Sequence, residues 1–118
     1  MTVAEIRNMV MFQTNNDADD LGDFMPHLMH YINEGYELLL DAFKRTGEKL
    51  LMNAEDIPQI PHWAHRAIAD YATWLVYRNG NAQKQQRGYA FRSAFEEVQR
   101  LARETASGRV EHFINIPR

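Results

Sequence analysis

The chain contains no cysteine. That removes disulfides, thiolate zinc sites and cysteine nucleophiles together, and it suits a reducing compartment. Long apolar runs are missing as well, and no stretch approaches the roughly eighteen residues that a membrane span needs. The opening MTVAEIRNMV has neither the basic segment nor the apolar stretch of a secretory leader, so a cytoplasmic site of synthesis and no membrane partner are expected. No glycine-rich phosphate loop occurs, and Ser93 and Ser107 have no plausible histidine–acid partners. These absences leave no enzyme hypothesis standing and no cofactor to expect. A protein that works by binding other proteins is the reading that remains.

What is present fits a single helical domain. A chain of 118 residues, 45% hydrophobic and 25% charged, is long enough to bury a real core and too apolar to stay disordered. The net charge of −3 hides an asymmetry. Residues 1–60 carry eleven acids and four bases, a net of −7, whereas residues 61–118 carry five acids and nine bases, a net of +4. Unlike halves of this kind favour head-to-tail association of identical copies, although helical surfaces also sort charge by chance.

Periodicity predicts four helices. Thr2 and Glu5 have capping-box spacing, and Val3, Ile6, Met9 and Val10 recur with helical period to about Thr14. The acidic segment Thr14–Asp23 reads as a loop. It superficially resembles a calcium loop but lacks the closing glutamate, because position 28 is Leu28. Asp23 is placed to cap a second helix with Pro26 in its first turn, whose stripe is Leu28, Ile32, Tyr36, Leu39, Leu40 and Phe43, with Gly47 as its stop. Residues 48–60 read as an ordered connecting loop. Pro61 opens a third helix along Trp63, Ile68, Tyr71, Leu75 and Val76, closed by Asn79-Gly80-Asn81 as residues tolerant of positive φ. The fourth helix, about Ala82 to Thr105, is drawn with Tyr89, Phe91, Ala94, Phe95, Val98 and Leu101 inward, and Gly108 ends it. The core is expected to gather Ile32, Tyr36, Leu39, Phe43, Ile68, Tyr71, Leu75, Phe95, Val98 and Leu101. The last ten residues, Arg109–Arg118, alternate Val110, His112, Ile114 and Ile116 in a strand-like pattern. The expectation is therefore all-α: a compact four-helix domain over 1–108 and an extended C-terminal tail over 109–118.

Two HxxH pairs, His27 with His30 and His62 with His65, are the sharpest chemical candidates. Residues three apart share a helix face, so two such helices could hold one metal through four histidines. Bundle metal sites use carboxylates and Glu-x-x-His, and only Glu34 and Asp70 lie nearby, neither in that spacing, so no metal is expected and the pairs read as surface or interface residues. A small metal-binding or regulatory bundle is the alternative they leave open. The cations Lys84, Arg87, Arg92, Arg100 and Arg103 decorate helix four between Glu96, Glu97 and Glu104, a pattern suited to a subunit interface or to weak, non-specific contact with passing DNA rather than to base readout.

Three stretches together resemble the head–tail connector (adaptor) proteins of tailed bacteriophages. Val3-Ala4-Glu5-Ile6-Arg7, the acidic loop and the helix from Leu28 to Phe43 with Ile32-Asn33-Glu34 are similar to that family's two N-terminal helices. Ile57-Pro58-Gln59-Ile60-Pro61-His62-Trp63 followed by Ala67-Ile68-Ala69-Asp70-Tyr71-Ala72 is similar to its proline-led third helix. Tyr77-Arg78-Asn79-Gly80-Asn81-Ala82 leading into Arg87–Leu101 is similar to its short turn and long last helix. The resemblance implies a virion structural protein of the neck. Copies would assemble into a ring, dodecameric in the assembled neck, beneath the portal protein after DNA packaging, where a downstream neck or tail protein docks. It further implies a C-terminal segment that reaches the portal, here Arg109, Val110, Phe113, Ile114 and Ile116.

Overall fold

The structure, a computed structural model, describes residues 1–14, 25–45 and 47–107. Residues 15–24, with Asp23 and the rest of the acidic segment after Thr14 among them, Gly108 and the strand-like tail with Arg109, Val110, Phe113, Ile114 and Ile116 lie outside the described residues. Thr2 and Glu5 form the reciprocal capping box that opens α1, Val3–Gln13. A 3₁₀ turn, Met25–His27, leads into α2, Leu28–Ala42. After the connecting segment a second 3₁₀ turn, His62–Ala64, enters α3, His65–Arg78, and α4 runs Ala82–Ala106. Among the described residues the fold is all-α, as the periodicity implies, and no helix is long and apolar enough to cross a membrane.

Helix α3 is the axis of the molecule. Ten of its fourteen residues are buried, including Ala67, Ile68, Ala69, Ala72, Leu75 and Val76. Helix α1 lies along it in parallel, since the Met1 amine meets His65 while Gln13 meets Asp70 and Thr73. Helices α2 and α4 run antiparallel to it: Tyr31 lies beside Asn79, and the Phe43 ring meets Trp63 at 5.7 Å. Both crossings are close at a glycine. A Cβ on Gly35 would stand 3.0 Å from the Tyr71 Cβ, and one on Gly88 would stand 3.0 Å from the Tyr77 Cβ.

Most of the expected core is in place. Ile32, Tyr36, Leu39, Ile68, Leu75 and Phe95 are buried, while Phe43, Tyr71, Val98 and Leu101 are half-buried at its margin. The face drawn for α4 needs correction. Its fully buried residues are Gly88, Phe95 and Ala102, flanked by half-buried Phe91 and Val98, and Tyr89 and Ala94 face solvent. The seam steps alternately by three and four residues, the repeat that keeps one helix against another over a long contact. Because Gly88 and Ala102 carry almost no apolar side chain, the large Tyr89 pulled the inferred stripe off its true phase.

Two helix ends also differ from expectation. Helix α2 stops at Ala42, before Gly47, through a left-handed Lys44 at φ 59°. The Lys44 amide donates to the Asp41 carbonyl at 3.0 Å and the Arg45 amide to that of Leu40 at 2.8 Å, which is the Schellman pair of bonds. The Asn79–Asn81 turn uses no positive φ. Its asparagines cap instead: Asn79 Nδ2 donates to the Leu75 carbonyl, and Asn81 Oδ1 accepts from the Lys84 amide at 2.9 Å.

Two stability measurements check this architecture. Lys44 is exposed and its left-handed backbone costs an L-residue about 1–2 kcal/mol, so Lys44→Gly should raise the unfolding free energy by about 1 kcal/mol in urea titration. Leu39, with no exposed surface, should cost about 2–5 kcal/mol on truncation to alanine. A Leu39→Ala variant as stable as the parent would place the core on another face.

Candidate functional site, a pinned loop and a cationic elbow

The connecting segment is held to the helices by side chains acting on its backbone. Asn33 grips Leu51 at both ends, donating from Nδ2 to the carbonyl and accepting from the amide at Oδ1, each at 2.8 Å. The Asp56 carboxylate accepts from the Asn53 and Met52 amides, both at 2.9 Å, and these bonds hold its pKa below the usual carboxylate range. The buried Tyr36 hydroxyl accepts from the Gln59 amide at 2.9 Å. In turn the loop caps α1, because the carbonyls of Asp56 and Ala54 accept from the Val3 and Ala4 amides, each at 2.9 Å. Those two donors are orphans at any helix start.

Among the exposed polar residues Glu48, Lys49, Asn53, Glu55 and Gln59, the loop also presents apolar side chains outward. Leu50 is 47% exposed, Met52 78% and Ile57 52%, while Leu51 between them is buried. A rigid backbone displaying contiguous apolar residues is the arrangement expected of a protein-docking ledge. The segment reads in sequence as an ordered loop, but its outward apolar face has no periodic signature.

At the α3–α4 elbow lies a different surface. The guanidinium carbons of Arg78 and Arg92 lie over the Trp74 ring, 5.2 and 5.1 Å from its centroid. Gln85 and Tyr89, the latter 51% exposed, complete a shallow recess with them. Trp, Tyr and Arg are the residues most enriched in interface hot spots.

Of the five cations singled out on α4, Lys84 is half-buried and Arg87, Arg92, Arg100 and Arg103 are exposed. Arg100 pairs with both Glu97 and Glu104, and Arg92 reaches Glu96 at 3.5 Å. These carboxylates break the row that a phosphate backbone would follow, and the cationic character concentrates toward the elbow.

The histidine pairs are not gathered. Among the described residues no three His, Asp or Glu side chains come together as a metal set. His27, His30 and His62 are exposed, with His27 stacked on Tyr31 at 6.2 Å. His65 is buried and both ring nitrogens are engaged: Nε2 donates to the Ile60 carbonyl at 2.9 Å, so Nδ1 is left to accept from the Met1 ammonium at 2.8 Å. Burial pushes its pKa below the usual imidazole value, and the neighbouring ammonium acts in the same direction.

A second buried polar group escaped the sequence reading. Asp70 accepts from Gln13 Nε2 at 3.0 Å, Thr73 donates to Gln13 Oε1 at 2.5 Å, and the Tyr77 hydroxyl donates to the Gln13 carbonyl at 3.1 Å. Burial raises the Asp70 pKa. These contacts fasten the end of α1 to α3. Compared with known proteins, the chain matches no family model, no curated protein and no solved structure.

His65 makes stability depend on pH in a defined direction. Its folded pKa is depressed, so its contribution is complete above the unfolded value, about 6.5, and is lost as pH falls through the folded value. Protonation would remove the Nδ1 acceptor and place a second cation beside the Met1 ammonium. Unfolding free energies from urea titration should therefore decline as pH drops below about 6.5, and the His65 ring resonances should titrate below the ordinary midpoint. A midpoint at or above that value would contradict the assigned tautomer and burial.

Proposed function

We propose that this protein is a virion structural component, a head–tail connector that joins copies of itself into a ring beneath the portal and offers a docking surface to the next neck or tail protein. The observation that carries this reading is the pinned loop, which turns Leu50, Met52 and Ile57 to solvent on a backbone fixed by Asn33, Asp56 and Tyr36. Apolar side chains held outward cost solubility, and a chain that acts by docking on another protein has a use for them. The resemblance in helix lengths, the proline-led entry to α3 and the long last helix supports the same reading. So does the distribution of charge, −7 over residues 1–60 and +4 over residues 61–118.

On this reading the protein acts by binding and without catalysis or cofactor, and it is made in the host cytoplasm before joining the neck of the virion. Its partners are the portal protein, the downstream neck protein and its own copies, with DNA no more than a weak, non-specific passer-by. The tail from Arg109 to Arg118 is the proposed portal anchor. Its alternating Val110, Ile114 and Ile116 suit addition of a strand to a neighbouring sheet, in which main-chain bonds give affinity and alternate pockets give specificity.

A paired measurement tests this assignment. Deleting residues 109–118 should leave the helical circular-dichroism signal intact while abolishing co-sedimentation with portal-bearing capsids. Unfolding of the truncated chain would assign the tail to the domain's own core. Normal docking would show that the tail is not the anchor, and failure of the full chain to sediment with capsids would remove the connector reading altogether.

A further inference from the structure

We infer that the cationic aromatic elbow of one copy docks into the acidic notch beside Leu50 of the next copy, so that identical chains join head to tail through two different surfaces. This inference rests on the connector reading and specifies the contact between its subunits. The notch has a volume of about 290 Å³ and is lined by Glu37, Leu40, Asp41, Arg45, Glu48 and Leu50. For scale, an enclosed cavity of about 150 Å³ holds a benzene ring, so one tyrosine side chain fits. Three carboxylates face a single guanidinium there, and Arg45 is already 3.8 Å from Glu48. The notch therefore keeps an excess of negative charge around an apolar floor.

The elbow has the complementary character. Trp74 holds Arg78 and Arg92 against its ring, and Tyr89 stands half-exposed beside them. Holding the guanidinium groups in place before contact lowers the ordering cost of binding, because less side-chain freedom remains to be lost. An aromatic anchor with flanking arginines, meeting an apolar notch with flanking carboxylates, combines the two features that give an interface affinity and register.

The two surfaces lie apart on one chain. Helices α2 and α3 are antiparallel, so the elbow lies at the Tyr31–Asn79 end and the notch toward the Phe43–Trp63 end. From Tyr31 to Asp41 is about 15 Å along the helix. A two-fold dimer would bury one self-complementary patch, whereas two unlike surfaces set apart on one chain repeat from copy to copy and close into a ring when the rotation permits. The second copy is favoured over nucleic acid as the occupant because the same chain carries a notch whose carboxylates and apolar floor match both the arginines and the tyrosine of the elbow.

The experiment uses the full chain and two variants, each blocking one surface: Tyr89→Glu at the elbow and Asp41→Lys at the notch. Both positions are exposed, and circular dichroism checks the fold. If Tyr89→Glu does not fold, Arg78→Glu tests the same surface. In sedimentation velocity the parent should self-associate, less at high salt than at low, and each variant alone should associate at least about tenfold more weakly, a free-energy change of about 1.4 kcal/mol. Mixing the two variants should restore one intact contact per pair and give complexes that stop at two copies. Variants that associate like the parent, a mixture that stays monomeric, or a parent that never associates would each overturn the inference. So would binding of a duplex oligonucleotide that is lost in Arg78→Glu while self-association is unchanged. Capsid loading separates this inference from the reading beneath it. A parent and variants that all load normally leave the connector role standing and remove this contact, whereas a parent that does not load removes the role itself.

Discussion

Enclosure of α3 is the constraint on which the remaining structure depends. A helix with ten of fourteen residues buried must be approached on several sides at once, and the approach distance is set by the smallest side chains present. Ala67, Ala69 and Ala72 supply this from within α3, and Gly35 and Gly88 supply it from the neighbouring helices. The large residues then fill the space that remains, with Phe95 against Tyr71 at 4.7 Å between ring centroids and Tyr36, Leu39 and Ile32 fully enclosed. Interiors pack near crystal density, so a methyl group added at either glycine would require Tyr71 or Tyr77 to give by a few tenths of an ångström.

The second organising principle is polar. The connecting loop has no regular secondary structure, and several of its backbone groups are met by Asn33 and Tyr36 of α2, by its own Asp56 carboxylate and by the first amides of α1. Each of these bonds is individually modest, about 0.5–1.5 kcal/mol net. Their value lies in number and direction: they fix the loop so that Leu51 points in while Leu50 and Met52 point out. The loop and α1 are therefore mutually dependent, since the loop supplies the acceptors for the first amides of α1.

Electrostatics acts at a longer range. Among the described residues the charges gather locally: Glu37, Asp41 and Glu48 line one notch, and Arg78 and Arg92 flank the Trp74 ring. On α4 the own-helix pairs of Arg92 and Arg100 with glutamates neutralise part of the positive row, and exposed pairs of this type contribute only about 0–1 kcal/mol to stability. Their effect is on shape of potential rather than on folding. The histidines follow a related logic. Spacing puts His62 and His65 on one side of a helix start, with ring centroids 5.1 Å apart, but burial commits the second imidazole to the Ile60 carbonyl and the N-terminal amine.

The sequence by itself determined the four helices, the Thr2–Glu5 cap, the ordered loop and most of the core, because these depend on local periodicity and on side chains acting within a turn or two of their own backbone. The stripe Ile32–Tyr36–Leu39 and the seam residue Phe95 were legible for that reason. Tertiary structure alone decided what depends on the partner surface. The phase of α4 follows Gly88 and the small Ala102, and the lack of a side chain at Gly88 is informative only once Trp74 and Tyr77 stand opposite it. The left-handed Lys44 was hidden because lysine carries no preference for that conformation, and packing of α2 imposes it. Arg78 and Arg92, fourteen positions apart, flank one indole because the elbow folds α4 back along α3. Gln13 meets Asp70, 57 positions away, because α1 lies parallel to α3. Contacts between residues distant in sequence are set by the crossing of helices, and no local pattern encodes where two helices will cross.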